Sequence, residues 1–156
     1  MNARILLPIV LLLGLAGCGA PFEVRTPDEF VALDAKHRRA SDYEYRATSA
    51  DGVVIAVRVE ENQDRGALAF WSQAVKNRLL RGGYAIVSES DVRAKSGETG
   101  HQYRCGRDEN GRTYDYWVTV FRTDDRVFVI EAGGRRDRFE PSASRVEAAI
   151  ASFEIR

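Results

Sequence analysis

Cysteine, histidine and methionine are scarce in this chain, whose 156 residues include two Cys, two His and one Met. Metal sites and nucleophilic centres need clusters of such side chains, so the sequence predicts neither a metal nor another cofactor. The longest apolar run is roughly a dozen residues, whereas a membrane-spanning helix needs about 20, so a transmembrane helix is the less favoured interpretation of this run. Basic and acidic residues balance at 23 each. The long-range positive field typical of nucleic-acid binding is therefore missing, and we expect no nucleic-acid partner.

The composition that remains is that of an ordinary globular domain. Hydrophobic residues make up 44% of the chain and charged residues 29%, far from the pattern of disordered segments. A chain of this length buries a sizeable core without a second domain. We therefore expect a single domain over residues 26–156.

The first 17 residues have the layout of a secretory signal peptide. Arg4 precedes an apolar run over residues 5–13, and small residues lead up to Cys18. The motif Leu15-Ala16-Gly17-Cys18 resembles the lipobox of bacterial lipoproteins, in which the Cys thiol carries diacylglycerol and the peptidase cuts just before it. The resemblance implies that residues 1–17 are removed, that Cys18 is acylated, and that residues 18–25 form a lipidated N-terminus and spacer.

The anchor would hold the domain at a membrane of the bacterial cell envelope, on the periplasmic or extracellular side. An ordinary secretory leader is the alternative, and it would leave a soluble periplasmic protein with the same fold. Once lipid occupies Cys18, Cys105 has no partner in the chain for a disulfide.

The first half of the mature chain reads as helix, hairpin and helix. Thr26-Pro27-Asp28-Glu29 is a capping-box pattern that predicts a short helix over 27–33. Alternation from Tyr43, with a turn at Asp51-Gly52, predicts a β-hairpin. Apolar residues at helical spacing predict an amphipathic helix over 67–80, ended by Gly82-Gly83.

The second half reads as four consecutive antiparallel strands and a closing helix. The strand that begins at Tyr84 becomes polar and is expected at a sheet edge, and Asn110-Gly111 predicts a tight hairpin turn. Gly133-Gly134 is expected to end the sheet. A second capping-box pattern at Ser144 predicts the start of the last helix.

The element order predicts an α+β fold with an antiparallel sheet of about six strands covered by helices. The stretches that carry a family resemblance are 83–100, 114–121, 126–132 and 146–153. Together they resemble the PsbP-like superfamily, which includes DcrB-like bacterial lipoproteins. The resemblance implies an α/β/α sandwich and a non-enzymatic binding or assembly-accessory module. It transfers no functional residues, because the superfamily shares no catalytic set.

Aromatic and arginine side chains are the candidate binding residues. Trp71 on the helix, with Tyr116 and Trp117 on the strongest strand, would line a ligand cleft or else pack as core. Both faces of that strand are apolar, so helices or a partner must cover both. Arg135 and Arg136, after the paired glycines, would hold an anion or simply mark the passage from strand to helix.

The sequence offers weaker candidates for catalysis than for binding. His101 and Cys105 share a strand face but lie about 13 Å apart at ~3.3 Å per residue, too far to bind one ion or act as a pair. Asp108-Glu109 and Asp124-Asp125 lie beside turns, where Asp caps the backbone.

The sequence thus favours a membrane-tethered, non-catalytic module that binds an envelope protein or an apolar ligand. A small envelope hydrolase and a purely structural lipoprotein are the alternatives.

Overall fold

The structure, a computed structural model, describes residues 20–33 and 42–156. The leader, Cys18 and the basic stretch 36–39 lie outside the described residues. The elements in chain order are β1 (Phe22–Glu23), β2 (Phe30–Ala32), β3 (Tyr45–Ser49), β4 (Val54–Glu61), α1 (Leu68–Arg81), β5 (Ala85–Arg93), β6 (Thr99–Glu109), β7 (Arg112–Arg122), β8 (Arg126–Arg135), α2 (Arg136–Ala151) and β9 (Glu154–Ile155).

Seven of the strands form one antiparallel sheet in the order β2-β3-β4-β8-β7-β6-β5, and β1 pairs with β9 in a separate two-stranded ladder. Helix α1 carries the chain from the end of β4 to the far edge of the sheet, and β5 to β8 return as a meander until β8 pairs with β4. The predicted α+β class is confirmed. The sheet has one strand more than expected, because β2 adds an edge.

The two helices cover opposite faces of the sheet. Helix α2 closes a core that contains Phe121, Phe128 and Ile130, while α1 closes a second core that contains Tyr103, Val118 and Val120. Adjacent residues of β7 thus enter different cores, as the side-chain period of two requires. This is the α/β/α sandwich that two apolar strand faces predict.

The turns follow the glycine and asparagine positions. Asn110 and Gly111 have φ values of 51° and 72°, and they join β6 to β7. Gly83, at φ 76°, ends α1 in a left-handed cap in which the amide of Tyr84 donates to the carbonyl of Leu79 at 3.1 Å. β5 lies at the sheet edge, as expected, with a register irregularity between Ile86 and Ser88.

The predicted helix over 27–33 is wrong. A turn at residues 28–29, with Glu29 at φ 67°, leads into β2 instead. Phe30 is buried whereas Val31 is exposed, so the segment has no helical apolar stripe to bury. The hydroxyl of Thr26 bonds to that of Tyr45 at 2.9 Å instead of serving as a helix cap.

Two further boundaries need correction. Gly133 and Gly134 do not end the sheet; they lie inside β8, paired with Tyr116 and Asp115 of β7. The last helix begins at Arg136, not at Ser144, and contains Pro141.

The early start of α2 is explained by Phe139, which is buried against Trp117 with ring centroids 5.0 Å apart. The predicted stripe of Val146, Ala149, Ile150 and Phe153 is buried as expected.

The spacer expected at residues 18–25 is partly folded. Phe22 is buried against Phe128 and Phe153 of the α2 core, so the fold begins at least four residues before residue 26. Within the described residues no helix is long and apolar enough to cross a membrane.

Candidate functional site

A groove of about 530 Å³ runs between α1 and the sheet. Val118 of β7 and Val127 and Val129 of β8 form its floor, and α1 contributes Trp71, Ala74, Val75, Arg78 and Leu79 to one wall. The opposite wall carries Arg58, Glu60 and Glu61 of β4 and Glu131 of β8, and Gly82, Tyr84 and Tyr116 close one end. We call this cavity the α1 groove. Its floor is apolar because alternate residues of β7 and β8 face α1.

Trp71 is held in the wall of the α1 groove by a buried asparagine. Asn62 accepts hydrogen bonds from Trp71 Nε1 at 3.0 Å and from the backbone amide of Gly66 at 2.7 Å. Its own amide donates to the carbonyls of Thr123 at 2.9 Å and Gly66 at 3.2 Å. A Cβ at position 66 would lie 2.7 Å from Trp71 Nε1, so only glycine lets the indole approach this closely.

A charged cluster forms the polar wall. Glu131 Oε1 accepts from Arg58 Nη2 at 2.9 Å, and Glu131 Oε2 accepts from the Tyr43 hydroxyl at 2.7 Å. The side chains of Arg58 and Glu131 are only 16% and 13% exposed. Arg58 Nε is buried and makes no hydrogen bond to any part of the chain that the structure describes. Burial, followed by the hydrogen bond to Glu131, raises the pKa of Tyr43.

Two stacked tyrosines close the far end of the α1 groove. The rings of Tyr84 and Tyr116 stack with an angle of 30° between their planes and with centroids 4.9 Å apart. Tyr84 occupies this place because the chain reverses just before it, at the left-handed Gly83. Burial, and then the negative charge and hydrogen bonding of Glu131, raise the pKa of Tyr116 far above its ordinary value. Its hydroxyl therefore stays neutral across the physiological range.

The candidate binding residues are distributed over three places. Trp71 and Tyr116 both line the α1 groove. Trp117 faces the other core, where the guanidinium of Arg104 lies 3.9 Å from its ring centroid.

Arg135 and Arg136 lie at the start of α2, away from the groove. Arg135 pairs with Asp137 at 2.7 Å and Arg136 with Asp115 at 2.9 Å, and their hydrogen bonds follow the same pairs. The structure therefore brings two of the five candidate residues together in the α1 groove.

Glu131 and Arg58 were not among the candidates. Their signal is nonetheless present in the sequence: each is the charged residue inside an apolar strand run, 127–132 for Glu131 and 53–59 for Arg58. A charge in such a run needs a partner when it is buried.

His101 and Cys105, the histidine and the thiol among the described residues, lie in different surroundings. His101 Nδ1 lies 2.8 Å from Asp91 Oδ1, and His101 Nε2 lies 3.7 Å from Glu89 Oε2, whose carboxylate also binds Lys76. Cys105 is buried and free, and burial raises the pKa of its thiol to about 11. Across residues 20–33 and 42–156, no group of three or more His, Cys, Asp or Glu side chains is arranged to hold a metal ion.

The carboxylate pairs at residues 108–109 and 124–125 bind neighbouring side chains beside the turns. Asp108 accepts from the Thr113 hydroxyl at 2.6 Å across the β6–β7 turn, and Asp124 pairs with Arg122 at 2.8 Å.

Comparison with known proteins finds similarity in structure alone. No family model and no curated protein matches the sequence. LpqN, involved in cell envelope biogenesis of Mycobacterium tuberculosis, superposes with a TM-score of 0.73 at 14% identity, over 90% of this chain and 87% of LpqN. Cyanobacterial PsbP from Synechocystis sp. PCC 6803 gives a TM-score of 0.58 at 14% identity, over 87% of each chain.

A third structure, from Bacteroides thetaiotaomicron VPI-5482, gives a TM-score of 0.56 at 16% identity, over 87% of this chain and 45% of that one. At such identities the similarity shows the fold, which is PsbP-like.

Proposed function

We propose that this chain is a lipid-anchored protein of the bacterial cell envelope that binds an apolar ligand in the α1 groove, without catalysing a reaction. The observation that carries the proposal is the groove itself, with an apolar floor and one charged wall. Its 530 Å³ volume lies within the range of about 300–1,000 Å³ that is usual for small-molecule sites.

The lining suits a ligand with an apolar body and a polar end. Trp71, Val75 and Tyr116, which are only partly buried, offer a surface that gains free energy when a ligand displaces water from it, and the buried valines of the floor lie beneath it. Arg58 and Glu131 supply a donor and an acceptor on one side, which would fix the orientation of the ligand. A few placed polar groups in an otherwise apolar site are typical of binding pockets.

The reactive side chains of the described chain support binding over catalysis. Both ring nitrogens of His101 face carboxylates, and the Cys105 thiol is neutral and buried. Glu131, the carboxylate of the α1 groove, already accepts hydrogen bonds from Arg58 and Tyr43. The two bonds hold the carboxylate as a fixed part of the wall, and its remaining lone pairs can accept from a bound ligand.

The envelope location rests on the lipobox-like motif at residues 15–18 and on the fold shared with LpqN. A lipid on Cys18 would keep the binding site beside the membrane without a spanning helix, since two or more acyl chains anchor a protein stably.

An apolar fluorescent probe tests the groove. Titration of 1-N-phenylnaphthylamine should give saturable binding to the wild type and strongly weakened binding to Ala74→Trp, because an indole at this position fills the cavity. Ala148→Trp is the matched control, since Ala148 is exposed on α2 in the opposite layer. Urea denaturation of both variants checks that they are folded. Equal binding by all three proteins would show that the probe does not use the α1 groove.

Cys18→Ala tests the anchor separately. The variant should stay uncleaved or leave the membrane fraction, and it should lose incorporation of labelled fatty acid. A variant that is still acylated and membrane-bound would contradict the lipobox assignment.

A further inference from the structure

The N-terminal strand is fixed to one end of the sandwich. Phe22 pairs with Ile155 of β9, and the amide of Arg156 donates to the carbonyl of Pro21 at 3.0 Å. The β9 segment is bound in turn to the β5–β6 turn, where the Lys95 amide donates to the carbonyl of Phe153 at 2.7 Å. The chain therefore enters the domain beside this turn.

Two other connections lie at the same end, because β4, β5 and β7 end there and β6 and β8 begin there. The β4–α1 loop is joined to the β7–β8 turn by the Asn62 amide, which donates to the carbonyl of Asp125 at 2.8 Å. We call this end, comprising residues 21–25, 62–67, 94–98, 123–125 and 152–156, the entry end.

Cys18 lies four positions before Phe22, and four residues reach at most about 14 Å when fully extended. The sandwich is longer: β6 has 11 residues, which corresponds to about 35 Å of strand. A lipid on Cys18 therefore keeps the entry end near the headgroups, while the turn at Asn110 can stand a full strand length away. We propose that the entry end rests against the bilayer that holds the lipid, an inference that depends on the anchor of the proposed function.

An exposed aromatic side chain lies next to the entry end. Phe70, in the first turn of α1 beside the β4–α1 loop, is 61% exposed, and its ring forms a T-shaped pair with that of Trp71, with centroids 5.2 Å apart. Aromatic rings of this kind are stabilised at the level of the lipid headgroups.

The entry end carries four basic and six acidic side chains, so it has no excess of positive charge. Lys95 pairs with Glu154 at 2.6 Å, and Arg156 pairs with Glu23. No net positive charge draws this end to anionic lipid, so the tether and the shape of the end set the orientation. High salt should consequently not weaken the orientation.

The orientation also gives the α1 groove a direction. The groove extends along α1 from Trp71, in the first turn, to Gly82 and Tyr84 at the helix end. Because α1 begins at the entry end, the Trp71 side of the groove faces the bilayer, and Tyr84 with Tyr116 lies at the distant side. An apolar ligand can then pass from the bilayer to the floor without crossing open water.

Depth-dependent quenching tests the orientation. Lipidated protein is reconstituted in vesicles of phosphatidylethanolamine with a minority of phosphatidylglycerol and of nitroxide-labelled lipid. Fluorophores are attached to Asp64→Cys at the entry end and Glu109→Cys at the opposite end, both exposed acidic positions. Wild-type protein reports the background from the buried Cys105. We expect several-fold stronger quenching at residue 64 than at residue 109, and no loss of this difference at high salt.

Equal quenching at both positions, stronger quenching at residue 109, or no quenching at either in vesicle-bound protein would overturn the orientation alone. Wild-type protein that does not float with the vesicles would overturn the anchor and this orientation with it. The probe titration needs no membrane, so it decides the α1 groove independently.

Discussion

The ring of Tyr116 lies across Gly133 of the neighbouring strand. The two residues are paired in the β7–β8 register, and a Cβ at Gly133 would lie 3.1 Å from Tyr116 Cδ2. The missing side chain thus leaves the space that the tyrosine ring occupies at the end of the α1 groove.

Gly133→Ala should displace this ring and weaken binding of the apolar probe by roughly five-fold, equivalent to about 1 kcal/mol. Gly134→Ala is the matched control, because its Cβ would point to the other face, 3.2 Å from Val53 Cγ2. Fluorescence titration of both variants provides the comparison. An equal loss in both would mean that the backbone, and not the Tyr116 ring, determines binding.

Asn62→Ala should destabilise the protein by about 1–3 kcal/mol, because Trp71 Nε1 and the Gly66 amide lose their acceptor in a buried place. Urea unfolding measures the loss, and the indole fluorescence should change as Trp71 becomes free to move. Gln63→Ala is the control, since Gln63 is exposed and its amide contacts Glu61. Equal stability of the two variants would show that the hydrogen bonds of the Asn62 side chain do not stabilise the fold.

Arg58→Met should lower the free energy of unfolding by about 2 kcal/mol at neutral pH. The substitution keeps an apolar stem but leaves the Glu131 carboxylate, 13% exposed, without its positive partner. Arg46→Met changes an exposed arginine on the adjacent strand and should cost far less. Equilibrium unfolding of both variants tests this, and a variant at position 58 as stable as wild type would exclude an essential pairing in the polar wall.

The pH dependence of stability should include a contribution from Cys105. The pKa of its thiol is about 11 in the fold because of burial, whereas an exposed thiol ionises near ~8.5. The unfolded chain thus releases this proton first, so stability present below pH ~8.5 is lost as the pH rises towards 11.

Between pH ~8.5 and ~10, wild-type protein should lose about 1–2 kcal/mol more than Cys105→Ala. The native thiol should also resist iodoacetamide at pH 8 and react once urea unfolds the chain. Parallel pH profiles for wild type and variant would contradict the assigned cause.

The elements that the sequence predicts well are those specified by local chemistry. Asn110-Gly111 and Gly83 need positive φ, and only a few residue types accept it, so the turns could be placed. The alternation around Tyr116 and Trp117 likewise shows that both sheet faces are covered.

The failures arise where tertiary contacts outweigh a local pattern. Thr26-Pro27-Asp28-Glu29 has every feature of a helix start, yet Phe30 gains more by entering the core from a sheet edge. The pair Gly133-Gly134 is typical of a turn or strand end, but here it lies inside β8, where the Tyr116 ring covers Gly133. The partners of Glu131 could not be predicted, because Tyr43 lies 88 positions and Arg58 73 positions away along the chain.

Photo-crosslinking in intact cells tests the central claim most directly. Benzoylphenylalanine placed at Arg78, an exposed position on the α1 wall of the groove, is compared with the same residue at Ala148, exposed on α2. We predict an adduct with the mass of a small apolar molecule at position 78 and none at position 148. An adduct at position 148 alone, the same adducts at both positions, or only whole-protein adducts at position 78 would contradict the account of the α1 groove as an apolar ligand site.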